Sequence, residues 1–164
     1  GMGVHHLDAF RYCLGQDITS IDAHSFTLPW SAPPVGSSMT TLLEFQSGIS
    51  GVYSATYDSR GHEFFKRGQE FYARFVGSAA TLHLVHKWLV LCRHGKLPRL
   101  IRAKRRPPPE HFLLDQLTRA IELGEEPECS GRDNLLTVAA LEAFVRSTEE
   151  RRRVSPTQLL NEVG

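Results

Sequence analysis

Near the start of this 164-residue chain, His5, Asp8 and Tyr12 stand at positions i, i+3 and i+7. That spacing sets three side chains along one stripe of an α-helix. An imidazole has a reference pKa of about 6.5, so beside a carboxylate it can take or give a proton near neutral pH. The carboxylate and the phenol add hydrogen-bonding capacity. On residue types alone the stripe equally describes a solvated helix face, because such spacings recur by chance. Arg60 and His62 fall in the long polar stretch from Asp58 to Gly68. They are the next candidates for contacting a ligand, since binding residues concentrate on loops held by a rigid scaffold.

His6 adjoins His5 in sequence but points about 100 degrees away on a helix, so the pair cannot jointly grip a metal. His6 is expected to be packed or at the surface. His24, His83, His86, His94 and His111 show no ligand spacing with one another or with the cysteines, and no metal site is expected. Cys13, Cys92 and Cys129 are an odd number at wide spacing. They read as reduced thiols of a cytoplasmic protein rather than a disulfide framework.

The elements that must position these residues follow from periodicity. Val4, Leu7, Phe10 and Leu14 recur at three- and four-residue intervals and predict a helix that Gly15 stops. Six short segments then alternate or are rich in β-branched and aromatic residues: 19–28, 39–46, 51–57, 70–76, 80–85 and 88–93. Pro29, the Pro33-Pro34 pair, Ser47-Gly48, Gly77-Ser78 and Gly95 punctuate them. Lys96 to Pro109 reads as an exposed connector because three prolines close it.

Beyond that connector, Leu113, Leu114, Leu117, Ala120 and Ile121 form a helical stripe ended by Gly124. A second stripe comprises Leu135, Val138, Ala139, Leu141, Ala143 and Val145, with Asp133 as its N-cap or first-turn acid. Burial of four or five aliphatic side chains per helix, at about 1.5–3 kcal/mol each, predicts that both pack on one sheet face. The expected fold is therefore α+β: a two-layer sandwich with an open, mostly antiparallel sheet of about six strands and helices on one face. The other sheet face is left open, which predicts a homodimer through it.

Hydrophobic residues make up 41% of the chain and charged residues 23%, a globular balance. With a net charge of +1, no global field calls for nucleic acid or an anionic membrane. Lys104-Arg105-Arg106 and Arg151-Arg152-Arg153 lack interleaved aromatics, so they read as a solvated connector and a helix end. No apolar run approaches the roughly 20 residues of a membrane span and no signal peptide is visible, so a soluble, cytoplasmic protein is expected.

Residues 3–15, Gly-Val-His-His-Leu-Asp-Ala-Phe-Arg-Tyr-Cys-Leu-Gly, resemble the start of the carboxyl-terminal domain of the Gfo/Idh/MocA oxidoreductases. Phe75-Val76-Gly77-Ser78-Ala79-Ala80-Thr81-Leu82 looks like that family's strand, glycine turn and strand. Residues 115–154 resemble its closing helix pair, with Gly124, Pro127, Ser130-Gly131, Asp133, the stretch Ala143 to Ser147, and Arg153-Val154. The resemblance implies one substrate-side domain over residues 4–154 with a tail at 155–164, and an absent amino-terminal Rossmann domain. Gly1-Met2 looks like a cloning scar before an initiator methionine, which suggests sequence missing upstream.

In that family the first domain binds the nucleotide and carries a catalytic lysine in a Glu-Lys-Pro segment. Neither that segment nor a Gly-x-Gly-x-x-Gly turn occurs here, so NAD or NADP is implied for a full-length enzyme and not for this chain alone. The second domain supplies the substrate pocket, often with an acid and, four residues later, a histidine or tyrosine that helps move the substrate hydroxyl proton. His5 matches the later position and becomes the candidate catalytic residue, while the earlier position falls on Gly1. Asp8 matches the family's frequent acid three residues after the histidine and joins Tyr12, Arg60 and His62 as candidate substrate-binding residues. The resemblance thus implies a substrate-binding and oligomerisation domain of an NAD(P)-dependent oxidoreductase acting on a sugar or polyol hydroxyl, inactive alone. The alternative expectation is a non-catalytic binding or assembly module of the same fold.

Overall fold

The structure is a computed structural model and describes residues 2–31, 36–56, 72–85, 88–102, 108–128 and 130–163. The helix expected at the start is α1, Met2–Leu14, closed by Gly15 at a φ of 60°. The expected strand segments follow as β1 (Ile18–Phe26), β2 (Ser38–Phe45), β3 (Ser50–Thr56), β4 (Tyr72–Val76), β5 (Thr81–Val85) and β6 (Trp88–Cys92). A further strand, β7 (Arg99–Ile101), lies inside the stretch read as a connector. Three helices complete the chain: α2 (Pro109–Leu123), α3 (Gly131–Glu150) and α4 (Pro156–Val163). The α+β class holds, every described strand pair is antiparallel, and both sheets are open.

Among the described residues the strands form two sheets rather than one run, in the orders β1-β2-β3 and β4-β5-β6-β7. The chain divides accordingly into two compact units, residues 1–60 with 116–164, and residues 61–115. In the first unit, β2 and β3 meet at a tight turn in which Gly48 adopts a φ of 81° and its amide donates to the Phe45 carbonyl. A left-handed position of this kind favours glycine because it lacks a Cβ. Alternation along the strands turns Ile21, Ala23, Leu43, Phe45 and Tyr53 into the core. Leu42 and Val52 fall on the opposite, exposed face.

α3 packs on β1, but with a different face from the one its aliphatic residues mark. Thr137, Ala140, Ala143 and Ser147 are buried, whereas Leu135, Val138, Leu141 and Val145 are exposed. Small side chains let the helix backbone approach the strand closely enough for direct polar contact. The Ala23 amide donates to Ser147 Oγ at 2.9 Å, and that hydroxyl donates to the Arg152 carbonyl at 2.7 Å. Arg151 then ends the helix in the left-handed region. Val154 exchanges two 2.9 Å backbone hydrogen bonds with Ile21, adding an isolated bridge beside β1. The stretch read as a tail is α4, whose Leu159 joins the core against α3 and β1.

In the second unit, residues paired across strands share a face. Phe75, Leu82 and Leu91 form one row, and Ala73, Leu84, Leu89 and Ile101 form the next on that same half-buried side. Tyr72, Val76, Val85 and Trp88 lie on the other side and are exposed. α2 departs from expectation: its stripe of Leu113, Leu114, Leu117 and Ile121 is at least half exposed.

Candidate functional site

The periodicity of α1 separates two faces. Leu7 is buried and Phe10 and Leu14 pack against the core, whereas His5, Asp8 and Tyr12 are exposed along the opposite stripe. The three sequence candidates on this helix therefore share one accessible face. Arg60 and His62 lie outside the described residues.

Beneath that face sits a charge that sequence reasoning missed. Arg11 is 7% exposed, although it carries a guanidinium. A buried guanidinium needs partners for its donors. Its Nε and Nη2 both donate to Asp17 Oδ1, at 3.0 and 2.8 Å. Nη2 also donates to Asp133 Oδ1 at 2.8 Å, and Nη1 donates to Thr137 Oγ1 at 2.7 Å and to the Asp133 carbonyl at 3.3 Å. Burial alone would lower the Arg11 pKa, but the hydrogen bonds and charges of Asp133 and Asp17 outweigh it and raise the pKa. The group stays a cation. The signal available in the sequence was its place on the apolar stripe, four residues after Leu7 and three before Leu14.

Asp133 reaches Arg11 because the start of α3 holds it there. Ser130 is the N-cap, and its hydroxyl accepts from the Asp133 amide at 3.1 Å. Asp133 is thus a first-turn acid rather than the cap itself, placed where the helix dipole favours a negative charge. One turn further on, Thr137 Oγ1 donates to Asp8 Oδ1 at 3.1 Å, and Arg11 Nη1 lies 3.8 Å from the same oxygen. One oxygen of the Asp8 carboxylate is thereby tied to α3, while the side chain remains 53% exposed.

His6 occupies the flank of α1 turned toward the sheet. Its Nδ1 and the Tyr53 hydroxyl are 2.6 Å apart, and the two rings meet edge to face. Phe10 meets Tyr53 in the same way. Burial lowers the His6 pKa, and a charge on His5 lowers it further. His5 faces solvent and His6 is packed, so the adjacent histidines take different roles.

Other features adjoin this constellation or lie elsewhere. A shallow depression of about 340 Å³ at the start of α3 is lined by Glu126, Glu128, Arg132 and Asp133 among others, and no sequence candidate lines it. Cys13 and Cys92 are free. Among the described residues, no three His, Cys, Asp or Glu side chains converge on a common point, and no helix is long and apolar enough to cross a membrane.

Comparison with known proteins places this geometry in a family. A family model described as the GFO/IDH/MocA C-terminal domain matches residues 1–83, which include α1 and its histidines. Over 168 aligned positions the chain is 29% identical to D-apiose dehydrogenase from Paraburkholderia graminis, covering 93% of this chain and 43% of that protein. The fold matches the solved aldose-aldose oxidoreductase of Caulobacter crescentus, in complex with glycerol, with a TM-score of 0.74 at 22% identity. That match covers 93% of this chain and 45% of the other. An oxidoreductase from Agrobacterium radiobacter, solved with NAD+, L-tartaric acid and magnesium, matches with a TM-score of 0.75 at 23% identity, covering 97% and 49%. The chain thus spans about half the length of the relatives it matches.

Proposed function

Because the chain belongs to the GFO/IDH/MocA C-terminal domain family, we propose that it forms the substrate side of an NAD(P)-dependent oxidoreductase acting on a sugar or polyol hydroxyl. The observation that carries this reading is the accessible face of α1. There, within the segment that the family model matches, His5 stands one turn from an Asp8 carboxylate that is held by one oxygen. His5 takes or gives the substrate hydroxyl proton, and Asp8 and Tyr12 accept or donate hydrogen bonds to neighbouring hydroxyls. Arg60 and His62, outside the described residues, stay proposed as further substrate-binding residues on their chemistry alone.

The residues described do not fit the nicotinamide cofactor itself. All described strand pairs are antiparallel, whereas the dinucleotide turn belongs to a parallel strand–helix–strand unit. The cofactor is therefore assigned to a separate nucleotide-binding domain, and this chain alone transfers no hydride. The exposed side of the four-stranded sheet, where Tyr72, Val76, Val85 and Trp88 stand beside Arg74 and His83, is the face we assign to a homodimer.

The test is NAD(P)H formation by the complete natural polypeptide that contains this segment, offered D-apiose, D-xylose, glycerol and other polyols. Turnover of at least one such substrate, with none from the 164-residue chain alone, is expected. A complete polypeptide that binds NAD(P) and oxidises no hydroxylated substrate contradicts the proposal.

A further inference from the structure

We infer that Arg11 and Thr137 are positioning residues for Asp8, forming a two-step relay that fixes which oxygen of its carboxylate a ligand meets. The functional side of the inference rests on the reading of α1 as a substrate face; the relay itself rests on geometry alone.

The direction of the relay follows from donor and acceptor chemistry. Arginine has no acceptor, so at 2.7 Å from Arg11 Nη1 the Thr137 oxygen must accept. A hydroxyl has one proton, and with a lone pair engaged by the guanidinium that proton is directed to Asp8 Oδ1, 3.1 Å away. The guanidinium polarises the hydroxyl it donates to, which strengthens the next hydrogen bond in the chain. Arg11 is itself held from two further sides by Asp17 and Asp133, so the origin of the relay is fixed to the start of β1 and the first turn of α3.

The consequence lies at the exposed end. Asp8 sits on the surface of a helix, where a short acidic side chain ordinarily samples several rotamers. Held through Oδ1, it keeps one rotamer and turns its other oxygen to solvent on the face it shares with His5. A ligand hydroxyl then meets an acceptor that is already ordered, and the entropy of fixing it is not lost on binding. Thr137 is almost wholly buried and does not itself reach that face. It acts through Asp8.

The experiment is side-chain NMR of the full 164-residue chain in wild type, Thr137→Val and Thr137→Ser forms. The wild type is expected to show a Thr137 hydroxyl proton that exchanges slowly enough to give a nuclear Overhauser effect to Asp8 Hβ, with Asp8 couplings of one χ1 rotamer. Thr137→Val is nearly isosteric and should average those couplings, and Thr137→Ser should restore them. A wild-type hydroxyl exchanging as fast as that of free threonine, or Asp8 couplings unchanged in Thr137→Val, would overturn the relay. The wild-type reading needs no variant to fold.

Titration of the same samples with D-xylose separates the two levels of the claim. If the sugar shifts the Asp8 signals, the shift should need several-fold more sugar in Thr137→Val and the wild-type amount in Thr137→Ser. If it shifts nothing in the wild type, the substrate-face reading loses support while the couplings still decide the relay.

Discussion

Arg11 Nη2 donates to Asp133 Oδ1 across 2.8 Å, joining the first helix to a residue 122 positions further along the chain. Both ends were set by local rules, Arg11 by the period of α1 and Asp133 by the Ser130 cap. Their meeting is a property of the fold.

Replacing Arg11 with Met should therefore destabilise the chain by more than an ordinary surface substitution. Removing one member of a fully buried ion pair costs about 3–5 kcal/mol. Asp17 and Asp133 keep contact with water, being 35% and 44% exposed, so a loss of about 2–3 kcal/mol is expected. The urea unfolding midpoint measures it, and a change below about 0.5 kcal/mol, the level of ordinary surface substitutions, would contradict the account.

Thr41 gives the opposite sign. It is fully buried, and its hydroxyl has no hydrogen-bond partner among the described residues. Thr41→Val keeps the shape and removes an unsatisfied group, so stability should be unchanged or rise by about 1 kcal/mol. A clear loss of stability in thermal unfolding would show that the hydroxyl finds a partner.

Ala143 is fully buried where α3 meets the core. Ala143→Leu should cost about 1–3 kcal/mol by forcing the helix off the sheet. Val138→Leu, on the exposed face of the same helix, should cost almost nothing. Equal effects at the two positions, read from the same denaturation curves, would mean the packed face is misplaced.

His6 makes stability depend on pH. Its folded pKa is lowered, first by burial and then by the charge of His5, so the unfolded chain binds more protons at low pH. Its contribution is complete above about 6.5, the unfolded value, and is lost as the pH falls from there through the folded pKa. The difference in unfolding free energy between wild type and His6→Gln should shrink across that window. A difference independent of pH would remove His6 as the cause.

Legibility of the sequence followed the strength of each physical signal. The helix α1 and the strands β1 to β6 were readable because period and turn residues agreed along each stretch. Strand β7 is three residues long and adjoins a basic, proline-ended stretch, too short for alternation to register. Helix α4 begins at Pro156, which resembles a chain break until seen as a first-turn residue. The face of α3 was legible only in part: Ala139 and Ala143 of the expected stripe are buried, but Leu135, Val138, Leu141 and Val145 are exposed, because close approach to β1 selects small residues. The polar stripe of α1 was legible for the same reason as its core stripe. The Arg11 relay was hidden because its partners come from the other end of the chain.

The central claim is most directly tested by the rate of hydride transfer in the complete polypeptide, compared between wild type and His5→Ala at saturating cofactor. The account predicts a fall in kcat of about 10²–10⁴-fold, the usual contribution of a positioned acid/base group, with cofactor affinity unchanged. A kcat within about twofold of wild type, below even a half-kcal/mol effect on the barrier, would remove His5 from the chemistry and leave α1 a packed helix with a solvated face.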